Sequence, residues 1–536
     1  MTVQKIQLAL LFALILCSQA RAQTHVVKLS KAEGASAAAS EHAISPYIYG
    51  FGSYLHEDRT KENVWELRPT LYRFGGNTST RYNYLNNSWN TAQDWFFHNY
   101  SGGKDNIVDA FMSENQRRGV ASAITVPMLG WVAKDGSSMS FPRASFPKQD
   151  GFDGDAGNGL LGGKKLKADP LATSVPITSD YVYTYVSKLK TKFGPYPHFY
   201  IMDNEPMLWS QTHRDVQAEP VSYDSYLKRY IEFASAVRRA DPKAVIIGPA
   251  LWGWMAMNYS AFDAEGPWNA FKRGADRAAH GDKPFLEWFL EKLSQEEKKQ
   301  KMSLLDIIDV HHYPETGKWP SGPESGAAFR NQLLRSTRSL WDKTYTDESW
   351  IDEKIYFIPR LRAMAARFKP SAKVSIGEYN YRSERDAAGA IAQADILGIM
   401  ASEDLYAAQY WDFPLAEGTH RNAFLLFRNF DGKGGAFGDR FLPNTVGNQA
   451  THSVYVAEDK AGKRLTIVMI NKSLTNAQTF DLQIGSYGKP KAAKIVGFRQ
   501  AAKPNEMQRY EAFIKDLSET KVKTEPLSMQ ILELRY

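Results

Sequence analysis

Two glutamates stand where chemistry is most easily done. Glu205 lies in "HFYIMDNEPMLW" (198–209), where an apolar, β-prone run ends in Asp203-Asn204-Glu205 and breaks at Pro206. Glu378 lies at the end of a second such run, "KVSIGEYN" from Lys373. Two convergent carboxylates suit the hydrolysis of a glycosidic bond, in which one protonates the leaving oxygen and the other attacks the anomeric carbon or activates water. A lone Glu at a strand end is more often solvated or ion-paired. Two of them, one inside Asn-Glu-Pro, shift the balance toward catalysis. Rival chemistries lack their motifs. His311 and His312 are neighbours, but no His-x-x-x-His pair or cysteine set accompanies them for zinc, and no Gly-x-Ser-x-Gly elbow is present for a serine hydrolase.

Other residues qualify as companions. Arg73 and Asn77 in "YRFGGN" are either turn polars or, as favoured here, site residues, because an arginine at a strand end holds an attacking carboxylate ionised. Asn204 is placed to bond a sugar hydroxyl. Tyr313 in "DVHHYP" reads equally as a capped core tyrosine or as a hydroxyl near the nucleophile, and His311 reads as a core or supporting residue. Sugars stack their C–H faces on aromatic rings. Trp95, Trp131, Trp209, Trp252, Trp254, Trp319 and Trp411 all fall near expected strand ends, with Trp131, Trp209, Trp319 and Trp411 the better platforms. The loop "KQDGFDGDAGNG" gathers Asp150, Asp153 and Asp155 among glycines, a pattern that suits a hard cation such as calcium. It lacks the closing Glu of an EF-hand, and an ordinary acidic loop is the stronger reading.

The elements that must position these residues are legible as eight short β-prone runs beginning at Tyr47, Thr70, Ala121, His198, Ala244, Leu305, Lys373 and Tyr406. Near-continuous apolar strands alternating with helices predict a parallel sheet, and eight of them predict a closed (β/α)8 TIM barrel over residues 45–430. In such a barrel the strand C-termini carry the site, and the fourth and seventh strands bring Glu205 and Glu378 to one mouth. Tyr226, Tyr230, Phe233 and Val237 recur at helical spacing and predict an amphipathic helix that Asp241-Pro242 ends. Beyond residue 430 the pattern changes to short alternating strands from Arg464, Thr479, Lys494 and Met529, which predict an antiparallel β-sandwich over 431–536, with residues 23–44 adding a strand through "HVVKLS".

The chain has 536 residues, 43% hydrophobic and 13% aromatic, room for one large and one smaller core. Residues 1–22 read as an export leader: Lys5, an apolar run from Ile6 to Leu16, then Ala20-Arg21-Ala22. The expected product is exported, secreted or periplasmic, without membrane insertion. The single cysteine, Cys17, falls inside that leader, which leaves no disulfide or thiolate chemistry for the rest. A net charge of +7 with scattered basic residues gives no nucleic-acid footprint. No obligate protein partner is expected, and no cofactor is required for hydrolysis.

Taken together, "LYRFGGNTSTRYNY" from Leu71, "DWFF" from Asp94, "DNEPMLW" from Asp203, "THRDV" from Thr212, "DVHHYPE" from Asp309 and "GEYNY" from Gly377 resemble glycoside hydrolase family 44, the endoglucanases and xyloglucanases. The resemblance implies a barrel with an accompanying sandwich, retaining cleavage within β-1,4-glucan polysaccharides, Glu205 as general acid/base and Glu378 as nucleophile. It also implies, for some members, a structural calcium. Phe74 and Arg382 stand where members commonly carry Trp and Gly, which bears on substrate preference. A catalytically silent glycan-binding protein, or a xylan or mannan hydrolase of the same clan, are the alternatives.

Overall fold

The computed structural model describes residues 23–29, 40–54, 63–194, 198–264, 274–315, 324–459, 463–514 and 520–536. The expected leader (1–22), with its Cys17, and Trp319 lie outside them. Each of the eight apolar runs forms a strand: β1 (Gly50–Ser53), β2 (Leu71–Phe74), β3 (Ala121–Val126), β4 (His198–Met202), β5 (Val245–Leu251), β6 (Ile307–Val310), β7 (Lys373–Tyr379) and β8 (Ala407–Tyr410). They pair in parallel in chain order, and β8 closes on β1 through Gln409 beside Gly50 and Tyr410 beside Phe51.

Alternation along the strands builds two cores. On β4, Phe199 and Ile201 join Leu71, Ala123, Ile247 and Ile307 in the cluster that fills the barrel. Tyr200 and Met202, on the opposite face, belong to the larger core shared with the surrounding helices. The predicted amphipathic helix forms over Tyr223–Ala240, with Tyr226, Tyr230, Phe233 and Val237 buried and Ser222 in a capping box with Ser225. The Tyr230 hydroxyl donates to the Leu304 carbonyl at 3.2 Å, which satisfies the polar end of a buried ring.

After the barrel, a seven-stranded sheet runs in the order His42–Ala43, Arg440–Leu442, His452–Glu458, Arg464–Asn471, Ser528–Arg535, Ala492–Gln500, Met507–Phe513. A second sheet joins Gln23–Lys28, Gln478–Gln483 and Lys521–Thr524, with the N-terminal strand parallel to its neighbour. Val27, Val456, Ile467, Phe480 and Leu532 belong to the core of this sandwich. Helix Ala387–Ser402 is apolar all round because it has no solvent face: it contacts the helices that flank it and the seven-stranded sheet. At its centre Asp395, fully buried, accepts from Lys472 Nζ (2.9 Å), Ser453 Oγ (2.7 Å), Tyr455 OH (2.8 Å) and Thr337 Oγ1 (2.8 Å). That network ties barrel to sandwich.

Candidate active site

The backbone after β4 is shaped by Asp203. Its buried carboxylate accepts from Thr80 Oγ1 (2.6 Å), from the backbone N–H groups of Met128 (2.5 Å) and Leu129 (3.0 Å), and from that of Asn204 (2.7 Å), so the ends of β3 and β4 are clamped together. Asp203 and Glu205 both lie in the left-handed region, at φ 65° and 45°. Such a conformation costs about 1–2 kcal/mol per non-glycine residue, and the clamp offsets it. The Glu205 N–H then donates to Ala250 O of β5 at 3.0 Å, and Pro206 opens a short 3-10 helix. This knuckle turns the Glu205 side chain toward the barrel axis.

Glu378, on β7, is held from three sides. Arg73 Nη1 donates to its Oε1 at 2.8 Å and to the Gly377 carbonyl at 2.7 Å, while the Tyr313 hydroxyl donates to Oε2 at 2.9 Å. The other fork of Arg73, Nη2, donates to Asn204 Oδ1 at 2.6 Å. Asn204 Nδ2 reaches Asn77 Oδ1 at 3.3 Å, and Asn77 Nδ2 donates to Asp94 at 3.0 Å. Arg73 is fully buried, so its planar fork is spent on fixing two strand ends at once.

His311 lies between the two acids. Its Nδ1 is 2.9 Å from Glu205 Oε1 and 3.5 Å from Glu378 Oε2, and its Nε2 faces Arg73 Nη1 at 3.3 Å. A guanidinium can only donate, so Nε2 accepts and Nδ1–H donates to Glu205. Burial lowers the imidazole's pKa and keeps it neutral. Glu205, His311 and Glu378 each place one ligand atom within 4.8 Å of the others. A metal ion there would meet the Arg73 guanidinium already paired with Glu378, which favours an acid–base reading of the cluster.

The electrostatics separate the two carboxyls. Burial pushes Glu205 up to about 7, against the opposing pull of Arg73. The dominant cause is desolvation, since the side chain is only 16% exposed. Burial raises Glu378 as well, opposed by His311, Arg73 and the Tyr313 hydroxyl and reinforced by the charge of Glu205. Among the described residues Glu205 has no guanidinium within hydrogen-bond distance, and Glu378 has one, that of Arg73.

The remaining predicted residues divide. Trp411 stands half-buried at the end of β8, its ring 5.0 Å from that of Tyr54 and 5.6 Å from the Arg73 guanidinium. Trp131 is half-buried in a short strand paired with Ser174–Pro176. Trp209 is no platform: it is completely buried, and its Nε1–H donates to the Asn204 carbonyl at 3.0 Å. Its ring braces the knuckle from behind. Asp150, Asp153 and Asp155 do not converge. Both oxygens of Asp150 are taken by the N–H groups of Gly162 and Gly163 at 2.7 Å, and the three form no ligand group, so this loop does not fit a calcium ion.

Sequence reasoning named Trp95 among the candidate rings but not its setting, a pocket of about 570 Å3 beside the Asn77–Asp94 link, walled by Tyr54, Trp89, Trp95 and Tyr100 with Thr78 and Asp94. Trp95 is 51% exposed and Tyr100 40%, open rings beside a carboxylate. The signal was present in "DWFF", but nothing local showed that this loop returns to the mouth.

The model of glycoside hydrolase family 44 matches residues 88–316, a stretch that contains the Glu205 knuckle and His311. Along most of its length the chain is also similar to endoglucanase A of Paenibacillus lautus, 28% identical over 489 residues. The chain is similar to glycoside hydrolase family 44 in sequence and in fold. It matches a crystal structure of a bifunctional glucanase-xylanase from a metagenome library at 29% identity and a TM-score of 0.85, covering 95% of this chain and 99% of that one. A Paenibacillus polymyxa family 44 xyloglucanase with xyloglucan matches at 25% and 0.76, covering 96% and 100%. The aligned region is 85% of this chain and 66% of the Paenibacillus lautus protein. It is 35% of a second curated relative, a Caldicellulosiruptor saccharolyticus beta-mannanase/endoglucanase A, at 27% identity. The chain therefore spans about two thirds and about one third of the curated relatives it matches.

Proposed function

We propose that this protein is a member of glycoside hydrolase family 44 that cleaves β-1,4-glucan backbones internally, with retention of anomeric configuration. The observation that carries the reading is the approach of the Glu205 and Glu378 carboxylates within 4.8 Å through the shared His311. Retaining enzymes hold their carboxyls about 5–5.5 Å apart, whereas inversion needs about 6.5–9.5 Å to admit water between them. Glu378, ion-paired with Arg73, attacks the anomeric carbon while Glu205 gives its proton to the departing oxygen. The bond to the leaving group breaks as the glycosyl ester forms. Esterification removes the charge of Glu378, and Glu205, now a carboxylate, takes a proton from the water that hydrolyses the ester. Tyr313 is positioned to keep Glu378 oriented, and Asn204 to meet the 2-hydroxyl of the sugar.

Trp411 and the Tyr54–Trp95–Tyr100 pocket supply rings on which successive sugars stack. Xylan or mannan backbones form the second reading, favoured by the names of two relatives, a glucanase-xylanase and a beta-mannanase/endoglucanase. Residues 1–22 fit a role in export, and among the described residues no helix is long and apolar enough to cross a membrane.

The test is reducing-end release from xyloglucan, carboxymethylcellulose, mixed-linkage glucan, xylan and mannan, with a Glu378→Gln control. Release from the glucans that vanishes in the control is the expected result. A folded protein that binds glucan and releases nothing would make it a binding protein.

A further inference from the structure

His311 is set between two carboxylates with a single donor to offer them. Its backbone is pinned at the end of β6: the His311 N–H donates to the Leu251 carbonyl of β5 at 2.7 Å, and the His312 N–H donates to the Glu378 carbonyl of β7 at 2.9 Å. The residue is fully buried. Among the described residues the charged or titratable groups facing its ring are Glu205 from the knuckle after β4, Glu378 from β7, Arg73 from β2 and Asp309 from its own strand. Asp309 Oδ2 is 3.9 Å from Nε2, beyond hydrogen-bond reach. Tyr313 stands beside Glu378, with its hydroxyl given to Oε2.

The Arg73 guanidinium decides which ring nitrogen carries the proton. It meets Nε2 at 3.3 Å and can only donate, so Nε2 accepts and Nδ1 carries the N–H. An imidazolium would donate from both nitrogens, and the guanidinium at Nε2 opposes that. The one N–H has two acceptors near it, Glu205 Oε1 at 2.9 Å and Glu378 Oε2 at 3.5 Å, and it serves only one of them well at a time. A hydrogen bond to an ionised acceptor is about twice as strong as one to a neutral acceptor. The N–H therefore follows the charge.

In retaining hydrolysis that charge changes place. Before reaction Glu378 is the carboxylate and Glu205 holds the proton; in the glycosyl ester Glu378 is neutral and Glu205 is the carboxylate. We propose that His311 is a positioning residue whose Nδ1–H passes from Glu378 in the free protein to Glu205 in the glycosyl ester, stabilising each carboxylate for the step that uses it. The proposal rests on the hydrolase reading above. No proton leaves the imidazole: the proton given to the departing oxygen comes from Glu205, and the proton of the attacking water returns there. The exchange is a small tilt of the ring on a fixed backbone. The shorter contact, to Glu205, is the arrangement that the ester needs, and protonation of Glu205 calls for the tilt toward Glu378.

The test uses a dinitrophenyl β-cello-oligosaccharide, whose leaving group needs no proton. The acid limb of kcat/KM then reports Glu378 in the free protein, and the acid limb of kcat, with hydrolysis of the ester limiting turnover, reports Glu205 in the ester. His311→Phe keeps a ring and loses the N–H. Both acid limbs are expected to move to higher pH by about one pH unit or more, the scale of one hydrogen bond to a charged group. His311→Asn, whose amide N–H can take the place of Nδ1–H, is expected to restore both. Movement of one limb alone means that the N–H stays with one acid, and unmoved limbs mean that the ring is only a spacer; either result overturns the handover. Crystals of the parent cover the case in which the phenylalanine variant folds poorly. Grown on the acid side of about 7, where Glu205 is protonated, they are expected to show Nδ1 closer to Glu378. After trapping of the ester with a 2-deoxy-2-fluoro cello-oligosaccharyl fluoride, Nδ1 is expected closer to Glu205, and the same partner in both crystals overturns the proposal. A parent that releases nothing from this glycoside or from the polysaccharides above overturns the hydrolase reading and the handover with it. An active parent whose phenylalanine variant keeps its pH limbs overturns the handover alone.

Discussion

At the scale of single residues, the chemistry depends on giving two like groups unlike surroundings. Glu205, at about 7, is a proton donor in neutral solution, whereas Glu378 shares a bond with a buried guanidinium. In the proposed mechanism activity needs the proton on Glu205, so turnover is expected to fall as pH rises through about 7, and Glu205→Gln with an activated aryl glycoside should lose that alkaline limb. The sign for stability follows from the same shift. A carboxyl raised in the folded state binds more protons there than in the unfolded chain, so its contribution declines as pH climbs from about 4.5 to about 7. Above that range Glu205→Gln is expected to unfold at a higher temperature than the parent. Arg73→Lys keeps a charge and loses the fork that reaches Glu378 and Asn204 together, and kcat is expected to drop by about 100-fold or more with little change in KM. The acids were readable from their place at strand ends. Trp209 was misjudged from the same clue, because a strand-end position does not say on which side of the knuckle a ring falls.

At the scale of elements, the decisive device is the clamp by which Asp203 joins β3 to β4. Asp203→Asn exchanges a four-fold acceptor for an amide that must turn a donor toward one of those N–H groups. The expected result is a loss of about 1–3 kcal/mol in denaturant unfolding, with kcat reduced more than KM as Glu205 leaves its left-handed position. All eight barrel strands could be found in the sequence because a strand buried on both faces is a short apolar run between helices. The helix Tyr223–Ala240 could be found from its period. The insert was harder. The Gly-rich stretch reads as an inserted acidic loop, with a cation site as the weaker reading, yet it folds as two small hairpins, Phe152–Asp153 with Ala156–Gly157 and Leu160–Leu161 with Lys164–Lys165. Asp150 accepts from the N–H groups of Gly162 and Gly163, a role that composition does not distinguish from metal binding.

At the scale of the whole molecule, the sandwich completes the barrel. Helix Ala387–Ser402 would expose an apolar flank if the chain stopped at residue 430, so such a truncation is expected to be insoluble, as judged by sedimentation of the expressed protein. Asp395→Ala would strip the buried Lys472 of its carboxylate and leave its Nζ only the Asn448 Oδ1 acceptor, at a cost of about 3–5 kcal/mol measurable by urea unfolding. By itself the sequence determined the order of elements, the two-layer division and the pair of acids, since each is written in local periodicity or in a contiguous motif. Only the tertiary structure decided that His311 bridges the acids and that Trp209 is a brace while Trp95 stands open. Those facts depend on which segments meet across the barrel and against the sandwich, and long-range closure is information that no local window of residues contains.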